Sequence, residues 1–324
     1  MELFMFMENK RNIILYIIFF VIFLVSVVLV NNTIQKDSQD RQKLFLERTK
    51  HMEDILNSDM KIWSEYYRVL LTDLVADKEI SSLFAHQERE KLYDLMYSTY
   101  LDLQEAETAL EIFHFHNADS TSFLRMHNKD KFGDNLSKIR PLIESVHTTH
   151  KPINGYESGR YGGSLRVVVP VFHEERYIGA LEIGLNPTAI TKSLESTDSN
   201  VHFQFVLHKN SIKKLSDKNM TLTVDSNYAV MTLNKFFTLE FLKKVLHSDD
   251  VVLLKQENKE FYTSKVTTIY DYENKILGYI VGAYDFTLEN QRYSINLVQL
   301  ILIIGMAIVL FLALILFSTR KNNS

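Results

Sequence analysis

Two uncharged, apolar segments near the ends of the chain constrain its fold more than any other feature. Residues 13–30 and 297–317 contain no charged side chain, and about 260 residues lie between them. Each segment is about 20 residues long, the length that an α-helix needs to cross roughly 30 Å of hydrocarbon. The sequence therefore predicts two transmembrane helices, at 12–31 and 295–317, with a polar body between them.

The charges beside these segments predict which side of the membrane the body occupies. Lys10 and Arg11 precede the first segment, and Arg320 and Lys321 follow the second. Positive residues next to a span stay preferentially on the cytoplasmic side. We therefore expect a two-pass protein embedded in a lipid membrane. Its cytoplasmic termini would be 1–11 and 318–324, and its periplasmic or extracellular part 32–294.

A cleaved signal peptide is the alternative interpretation of the first segment. Its apolar run is longer than the core of an ordinary signal peptide. Residues 30–33 (VNNT) also offer no small-x-small cleavage site. We therefore expect the first segment to be an uncleaved anchor.

Composition excludes several classes of function. The chain has no cysteine, so neither disulfides nor a thiolate metal site can hold its fold. The net charge is −4 without a basic block, so no nucleic-acid partner is expected. Catalytic motifs such as G-x-S-x-G, the P-loop and H-E-x-x-H do not occur in the sequence. We expect neither an enzyme nor a bound cofactor.

A long helical pattern follows the first apolar segment. From 33 to 83, apolar residues recur at threes and fours, and there is no proline or glycine. A continuous helix of this length would rise some 70 Å at 1.5 Å per residue, too long for an ordinary globular helix. The pattern predicts a stalk helix at 32–83, and its apolar stripe predicts a homodimer. We expect a break near Ser81 and Ser82 and a second helix at 87–107.

The rest of the body predicts two serial units of mixed helix and strand. The first unit, 84–196, has predicted strands at 110–116 and 121–127, a helix at 136–150, a glycine-rich loop at 155–163, and strands at 165–172 and 177–185. The second, 197–290, has predicted strands at 201–208 and 228–233, a helix at 237–246, and strands at 251–254, 260–269 and 275–284. The expected fold class is α+β. Residues 177–184 (YIGALEIG) and 276–282 (ILGYIVG) have similar sequences, each with one glycine near its start and one near its end. Glycines inside a strand mark a bulge or a place where another backbone or a ligand approaches closely.

Residues 113–184 carry a specific resemblance. They contain FHFHNADSTSFLRMHNKDKFGDNLSKIRP, then GYESGRYGGSLRVVVPVF, then IGALEIG. This resembles the membrane-distal unit of one subfamily of double Cache domains, the extracellular sensors of bacterial chemoreceptors, sensor kinases and cyclases. The resemblance implies two Cache/PAS-like antiparallel sheet units after a long stalk helix, in a protein of the bacterial inner membrane. Over 200–286 the resemblance is limited to the order of the predicted elements and their general sequence character.

The resemblance also implies a function and a site. Such domains bind small molecules, often organic anions or amino acids, between the sheet and its covering loops. The ligand-binding positions carried over are His114, Arg125, His127, Arg140, Tyr156, Glu157, Arg160 and Arg166. Relatives continue past the second span into a HAMP, kinase, methyl-accepting or cyclase module, whereas this chain stops at Ser324. We therefore expect signalling through a separate membrane protein, in chemotaxis or a two-component system.

The arginines have an interpretation from chemistry alone. Arginine offers a bidentate fork to a carboxylate or phosphate. Alternation is poor over 165–169, so this strand is expected to be buried and Arg166 must find a partner. That partner is either a ligand anion or an internal ion pair with Glu157 or Glu182.

The histidines leave two further interpretations open. His114 and His116 are two apart on a predicted strand, so they share one face while Phe113 and Phe115 share the other. With His127 on the partner strand they could bind a metal, or they could titrate at mildly acid pH. The default is a hydrogen-bonded structural role. The alternatives to a signalling receptor are therefore a non-signalling membrane-tethered binding or accessory protein, and a metal- or pH-responsive sensor.

Overall fold

The computed structural model describes residues 2–159, 162–186, 188–212 and 221–321. The helices within these ranges are α1 (Glu2–Ala76), α2 (Lys78–Ala85), α3 (Arg89–Ala106), α4 (Pro141–Thr149), α5 (Thr188–Thr197), α6 (Leu239–Leu246) and α7 (Thr287–Lys321). The strands are β1 (Leu110–Asn117), β2 (Ser122–Arg125), β3 (Ile153–Gly159), β4 (Gly162–His173), β5 (Arg176–Leu185), β6 (Val201–His208), β7 (Leu222–Thr223), β8 (Tyr228–Val230), β9 (Val252–Gln256), β10 (Lys259–Tyr270) and β11 (Ile276–Asp285). This mixed architecture confirms the expected fold class.

The two terminal helices carry the apolar segments. α1 is 75 residues long and α7 is 35 residues long. Each contains a stretch that is long and apolar enough to cross a membrane. The long stalk helix and the two apolar helices predicted from the sequence are therefore present.

The break after the long helix lies earlier than predicted. Asp77 separates α1 from α2, and its carboxylate accepts hydrogen bonds from the backbone N–H groups of Glu79 (2.7 Å) and Ile80 (3.2 Å). An aspartate at this position satisfies N–H groups that have no partner inside the helix. The prediction of a break near Ser81 and Ser82 was wrong, because both lie within α2 and the Ser81 hydroxyl bonds back to a helix carbonyl.

In the described part of the chain, the first sheet has the strand order β2-β1-β5-β4-β3, and all its neighbouring strands are antiparallel. One face packs on helices α1, α2 and α3. Its core includes Leu71, Phe84, Leu92, Phe113, Phe115, Val169 and Ile183. The other face is covered by α4, whose Leu142, Ile143 and Val146 pack on Val168 and Ala180. The sheet is therefore buried on both faces.

Two local predictions in this unit were wrong. The glycine-rich segment is a hairpin rather than a loop, since β3 and β4 pair from Ile153↔Val168 to Gly159↔Gly162. The predicted helix at 136–150 begins only at Pro141 and ends at Thr149. Proline lacks a backbone N–H and is therefore favoured in the first turn of a helix rather than inside it.

The second sheet repeats the arrangement of the first. Among the described residues its strand order is β7-β8-β6-β11-β10-β9, and β11 pairs with β6 in antiparallel fashion. Helix α6 covers one face. The core on this face includes Val206, Phe237, Leu242, Val245, Leu246 and Val281. The strand predicted at 201–208 coincides with β6.

The two similar glycine-containing segments, 177–184 and 276–282, lie in equivalent strands of the two sheets. β5 pairs with β1, the strand that opens the first sheet, and β11 pairs with β6, the strand that opens the second. A Cβ atom at Gly179 would lie 2.1 Å from the carbonyl oxygen of His116. A Cβ atom at Gly278 would lie 2.0 Å from the carbonyl oxygen of Val206. The interpretation of these glycines as sites of close backbone approach is confirmed.

The chain divides into two compact units. One consists of Met1–Arg48, Lys255–Glu260 and Asp285–Ser324, and the other of Thr49–Leu254 and Phe261–Tyr284. In the first, Phe45 lies against Phe286 with ring centroids 6.0 Å apart. Arg48 lies over the same ring and donates to the Glu289 carboxylate at 2.5 Å. These contacts join α1 to the beginning of α7. Both sites described below lie in the second unit.

Candidate functional site

The face of the first sheet beneath α4 carries a group of buried polar side chains. β1, β3, β4 and β5 each place alternate residues on this face. Arg140 precedes the first residue of α4 and reaches the same place. We define the buried charge cluster as His114, His116, Arg140, Glu157, Arg166 and Glu182, none of which is more than 6% exposed.

Arginines and glutamates alternate in this cluster. Glu182 Oε1 accepts hydrogen bonds from Arg166 Nη1 at 2.5 Å and from Arg140 Nη2. Glu157 Oε2 accepts from Arg140 Nε and lies 3.4 Å from Arg166 Nε. Glu157 Oε1 also accepts the backbone N–H of Leu142, in the first turn of α4, at 2.9 Å. Each arginine therefore contacts both glutamates, and the four side chains have no net charge when all are ionised.

The two histidines line the other side of the Glu182 carboxylate. His116 Nε2 lies 2.7 Å from Glu182 Oε2, and His114 Nδ1 lies 3.8 Å from the same oxygen. His114 Nε2 is hydrogen-bonded to the Ser122 hydroxyl at 2.8 Å. His116 Nδ1 is buried and has no hydrogen-bond partner among the described residues. Phe113 lies on the opposite face in the helix-packed core, as the alternation predicted.

Burial sets the protonation of this cluster. Burial, with a smaller contribution from the neighbouring imidazole, lowers the pKa of His114 well below its usual value. Burial lowers the pKa of His116 to about 4. Burial alone would raise the pKa of Glu182, but Arg140 and Arg166 outweigh it and hold that pKa well below the usual range. At neutral pH the imidazoles are therefore neutral and Glu182 is ionised.

A metal ion fits this cluster poorly. Donor atoms of His114, His116 and Glu182 lie within 4.8 Å of one another, and this donor set is one that zinc accepts. Arg140 and Arg166, however, already neutralise the two carboxylates. A divalent cation would add two positive charges to a neutral, buried group with no further anion in the cluster to balance them. The arrangement favours an ion cluster over a metal centre.

His127 does not join the two other histidines, although the metal hypothesis offered it as a possible third ligand. β2 ends at Arg125, so the strand alternation that would place His127 beside His114 stops two residues earlier. His127 is exposed, and its Nδ1 accepts the backbone N–H of Phe113 at 3.4 Å. Its ring centroid lies 6.5 Å from that of His114. Glu182, rather than His127, supplies the third potential ligand atom beside His114 and His116.

Arg125 is satisfied outside the cluster. It pairs with His114 across the β1–β2 ladder, but its guanidinium donates to both carboxylate oxygens of Asp134, at 2.8 and 3.1 Å. It also donates to the backbone carbonyl of Lys131 at 2.5 Å. Arg125 therefore holds the loop that follows β2. Arg160, the remaining predicted arginine, lies outside the described residues.

Tyr156 connects the cluster's strand to other elements. It precedes Glu157 on β3, and its hydroxyl donates to Met60 Sδ of α1 at 2.9 Å. Its ring stacks on Phe205 of β6 at 6.3 Å, and its carbonyl accepts the N–H of Tyr272 at 3.0 Å. Burial raises the pKa of the phenol. A displacement of β3 would therefore change its contacts with α1 and with the second sheet.

The sequence patterns predicted part of this arrangement. The family resemblance placed His114, Arg140, Glu157 and Arg166 in one group, and the internal ion-pair interpretation of Arg166 is confirmed. Glu182, which lies at the centre, was expected only as one of two possible ion-pair partners of Arg166. The available signal was one carboxylate inside an otherwise apolar strand, IGALEIGL. Contact of any of these residues with a ligand stays a prediction.

Comparison with known proteins adds a family match and several distant structural likenesses. Residues 61–281 match the model of dCache_3, described as the double sensory domain of two-component sensor kinase. No curated protein sequence matches the chain significantly. The sensor domain of the Vibrio cholerae histidine kinase DctB is 10% identical, with a TM-score of 0.45, and the alignment covers 76% of this chain and 98% of that one.

Two other solved structures are similar at the same level. A domain of a sensory box/GGDEF family protein from Vibrio parahaemolyticus is 11% identical, covering 77% of this chain and 97% of that one, with a TM-score of 0.43. The sensory domain of the Campylobacter jejuni chemoreceptor Tlp3 with isoleucine bound is 12% identical, covering 75% and 92%, with a TM-score of 0.38. Identities this low do not allow residue roles to be transferred.

Proposed function

The chain belongs to the dCache_3 family of double sensory domains, and on this premise we propose that it is a membrane-anchored sensory receptor that binds a small molecule at the buried charge cluster. The two terminal helices with their apolar stretches hold the double Cache domain at the membrane. The flanking Lys10, Arg11, Arg320 and Lys321 support cytoplasmic termini and a periplasmic domain.

The observation that carries this proposal is the arrangement of two arginines shared between two buried glutamates. Such a cluster is weak as a source of stability, because desolvation offsets most of the attraction between the charges. It is well suited to exchange, because a ligand carboxylate that replaces one glutamate would leave the charge balance unchanged. An organic anion or an amino acid supplies such a group.

Glu157 is the member of the cluster that a ligand would displace. It also lines a cavity of about 210 Å³ at the sheet edge, together with Pro141, Tyr156, Tyr272 and Ile276. Arg140 Nε bonds to Glu157 at this edge, whereas Glu182 is fully buried behind it. A ligand entering the cavity would therefore meet Glu157 first and compete with it for the guanidinium of Arg140.

The same displacement supplies a route for the signal. Tyr156 is next to Glu157 and contacts Met60 of α1, the helix that also contains the first apolar segment. A shift of β3 would change this contact and bias the position of α1. We propose that a homodimer built on α1 passes this shift through the membrane to a separate signalling protein.

A thermal-shift screen of the full-length protein in lipid nanodiscs tests the proposal. A ligand at about 100 times its dissociation constant should stabilise the folded protein by about 2.7 kcal/mol. Arg140→Lys keeps the charge but removes the bidentate fork, so it should abolish the response to an amino acid or a polar organic anion. Arg125→Lys is the matched control, because Arg125 is bonded outside the cluster.

Two results would overturn the proposal. One is a panel of amino acids and organic anions with no member that stabilises the wild-type protein. The other is a response that survives in Arg140→Lys and disappears in Arg125→Lys, which would place the ligand beside the β2 loop.

A further inference from the structure

A second cavity lies apart from the charge cluster, beside β6 of the second sheet. Its volume is about 300 Å³, and it is lined by β6, by α5 and by residues 232–235 after β8. We name it the β6-edge cavity. This volume is at the small end of the range for ligand pockets in proteins.

The cavity exists because one edge of β6 is capped by side chains. In the described residues β8 pairs with β6 at Leu207 and His208, near the end of that strand. Further back, the N–H of Phe203 donates to Glu195 Oε1 at 2.5 Å. The carbonyl of Phe203 accepts Asn234 Nδ2 at 3.1 Å. These bonds satisfy the backbone without a strand and leave open space beside it.

Gln204 fixes the wall opposite α5. It is only 2% exposed, and its Nε2 donates to the carbonyls of Phe205 (2.8 Å) and Thr232 (2.9 Å). Its Oε1 accepts the backbone N–H of Asn234 at 2.8 Å. Both polar atoms of this buried amide are therefore used to hold the segment that follows β8. A cavity with walls fixed in this way is preformed, which lowers the entropic cost of binding.

The side chains that line the cavity specify the chemistry of an occupant. Lys192 on α5 and Lys235 after β8 are exposed, one on each wall. Glu195 is already engaged by the backbone and by Asn234, and burial raises the pKa of its carboxyl. Phe203 and Phe205 give the cavity an apolar base. Among the described lining residues, Lys192 and Lys235 therefore offer a ligand two ammonium groups, and Phe203 and Phe205 offer an aromatic surface.

We infer that the β6-edge cavity binds a small amphiphilic carboxylate, with its carboxylate between Lys192 and Lys235 and its short apolar chain on Phe203 and Phe205. This is a second site, in the second sheet unit, and it does not depend on the charge cluster. A ligand there would contact α5, which follows the first sheet, and β6, which begins the second.

Titration calorimetry of the full-length protein in nanodiscs tests this inference with hexanoate as the probe. Hexanoate should bind and raise the melting temperature, whereas hexylammonium and hexanol, which share its chain but lack the negative charge, should not. The double variant Lys192→Met/Lys235→Met should weaken hexanoate binding by about tenfold or more. Lys244→Met, on the exposed side of α6 and outside the cavity, should bind like the wild type.

The inference is overturned if hexanoate does not bind at millimolar concentration, if hexylammonium binds equally well, or if the double lysine variant binds hexanoate like the wild type. Failure here is distinct from failure of the charge-cluster proposal. Arg140→Lys should leave hexanoate binding unchanged, and the double lysine variant should leave the ligand response of the cluster unchanged.

Discussion

The two sheets place opposite chemistry at equivalent positions. Counting from the glycines that contact the neighbouring strand, Gly179 and Gly278, the third residue along is Glu182 in the first sheet and Val281 in the second. Glu182 is fully buried among charges beneath α4, and Val281 is fully buried in an apolar core beneath α6.

The residues on the strands beside these two positions differ in the same way. Glu182 lies opposite His114 in the register of β1 and β5, and Val281 lies opposite Gln204 in the register of β6 and β11. Both polar atoms of the Gln204 amide are hydrogen-bonded to backbone groups, whereas His114 faces the carboxylate of Glu182. The fold therefore does not require buried charge at this place. Its presence in the first sheet alone is a reason to assign it a function.

Transferring the charge to the second sheet should give the largest effect. Val281→Glu places a carboxylate in an apolar core that contains no arginine among the described residues, so the free energy of unfolding should fall by at least about 4 kcal/mol. Val281→Thr, which keeps the shape, should cost about 1–3 kcal/mol. Urea denaturation measures both. A Val281→Glu protein as stable as the wild type would show that the second sheet tolerates charge equally well.

Removing the charge from the first sheet should give the next largest effect. Glu182→Gln leaves Arg140 and Arg166 sharing one carboxylate, and the loss of stability should be about 3–4 kcal/mol. Glu175→Gln, in the exposed turn before β5, should change stability by less than about 0.5 kcal/mol. A loss below about 1 kcal/mol for Glu182→Gln would mean that the arginines find other partners in the folded protein.

Acid should weaken the first sheet more than the second. The pKa of His116 is about 4 in the folded protein, below the value of about 6.5 in an unfolded chain, so the unfolded state binds more protons between these values. Stability should therefore fall by on the order of 3 kcal/mol as the pH drops from 6.5 to 4. His116→Gln should flatten this slope, and exposed His86→Gln should not. An equal slope in all three proteins would contradict the assignment.

The smallest effect on stability is expected for the contact between Tyr156 of the first sheet and Met60 of α1. Tyr156→Phe removes the hydroxyl that bonds to Met60, and the cost should be about 1 kcal/mol. Its effect on signalling should be larger, because ligand-dependent changes in hydrogen exchange around Met60 should disappear. Tyr228→Phe in the second sheet is the matched control. Unchanged exchange in Tyr156→Phe would remove this contact from the proposed route.

The sequence predicted the elements better than their pairing. Local periodicity found β6 with correct bounds and placed Phe113 and Phe115 opposite His114. The β3–β4 hairpin was missed, because its glycines favour loops locally and only cross-strand hydrogen bonds decide otherwise. The contact between Arg140 and Glu182 joins residues far apart in sequence, so no local pattern reports it.

The most direct test of the central claim is to give the first sheet the apolar chemistry of the second. The variant combines Arg140→Met, Glu157→Gln, Arg166→Met and Glu182→Leu, and the glutamine keeps an acceptor for the N–H of Leu142. Replacing mutually paired buried charges together by uncharged side chains is often neutral or stabilising, so this variant, which keeps His114 and His116, should stay folded. In a thermal-shift titration against amino acids and polar organic anions, which lack the apolar chain of hexanoate, we expect the wild type to respond and the variant to respond to none. A variant that melts like the wild type and is stabilised by the same ligand to the same degree would show that the charge cluster is not the sensory site.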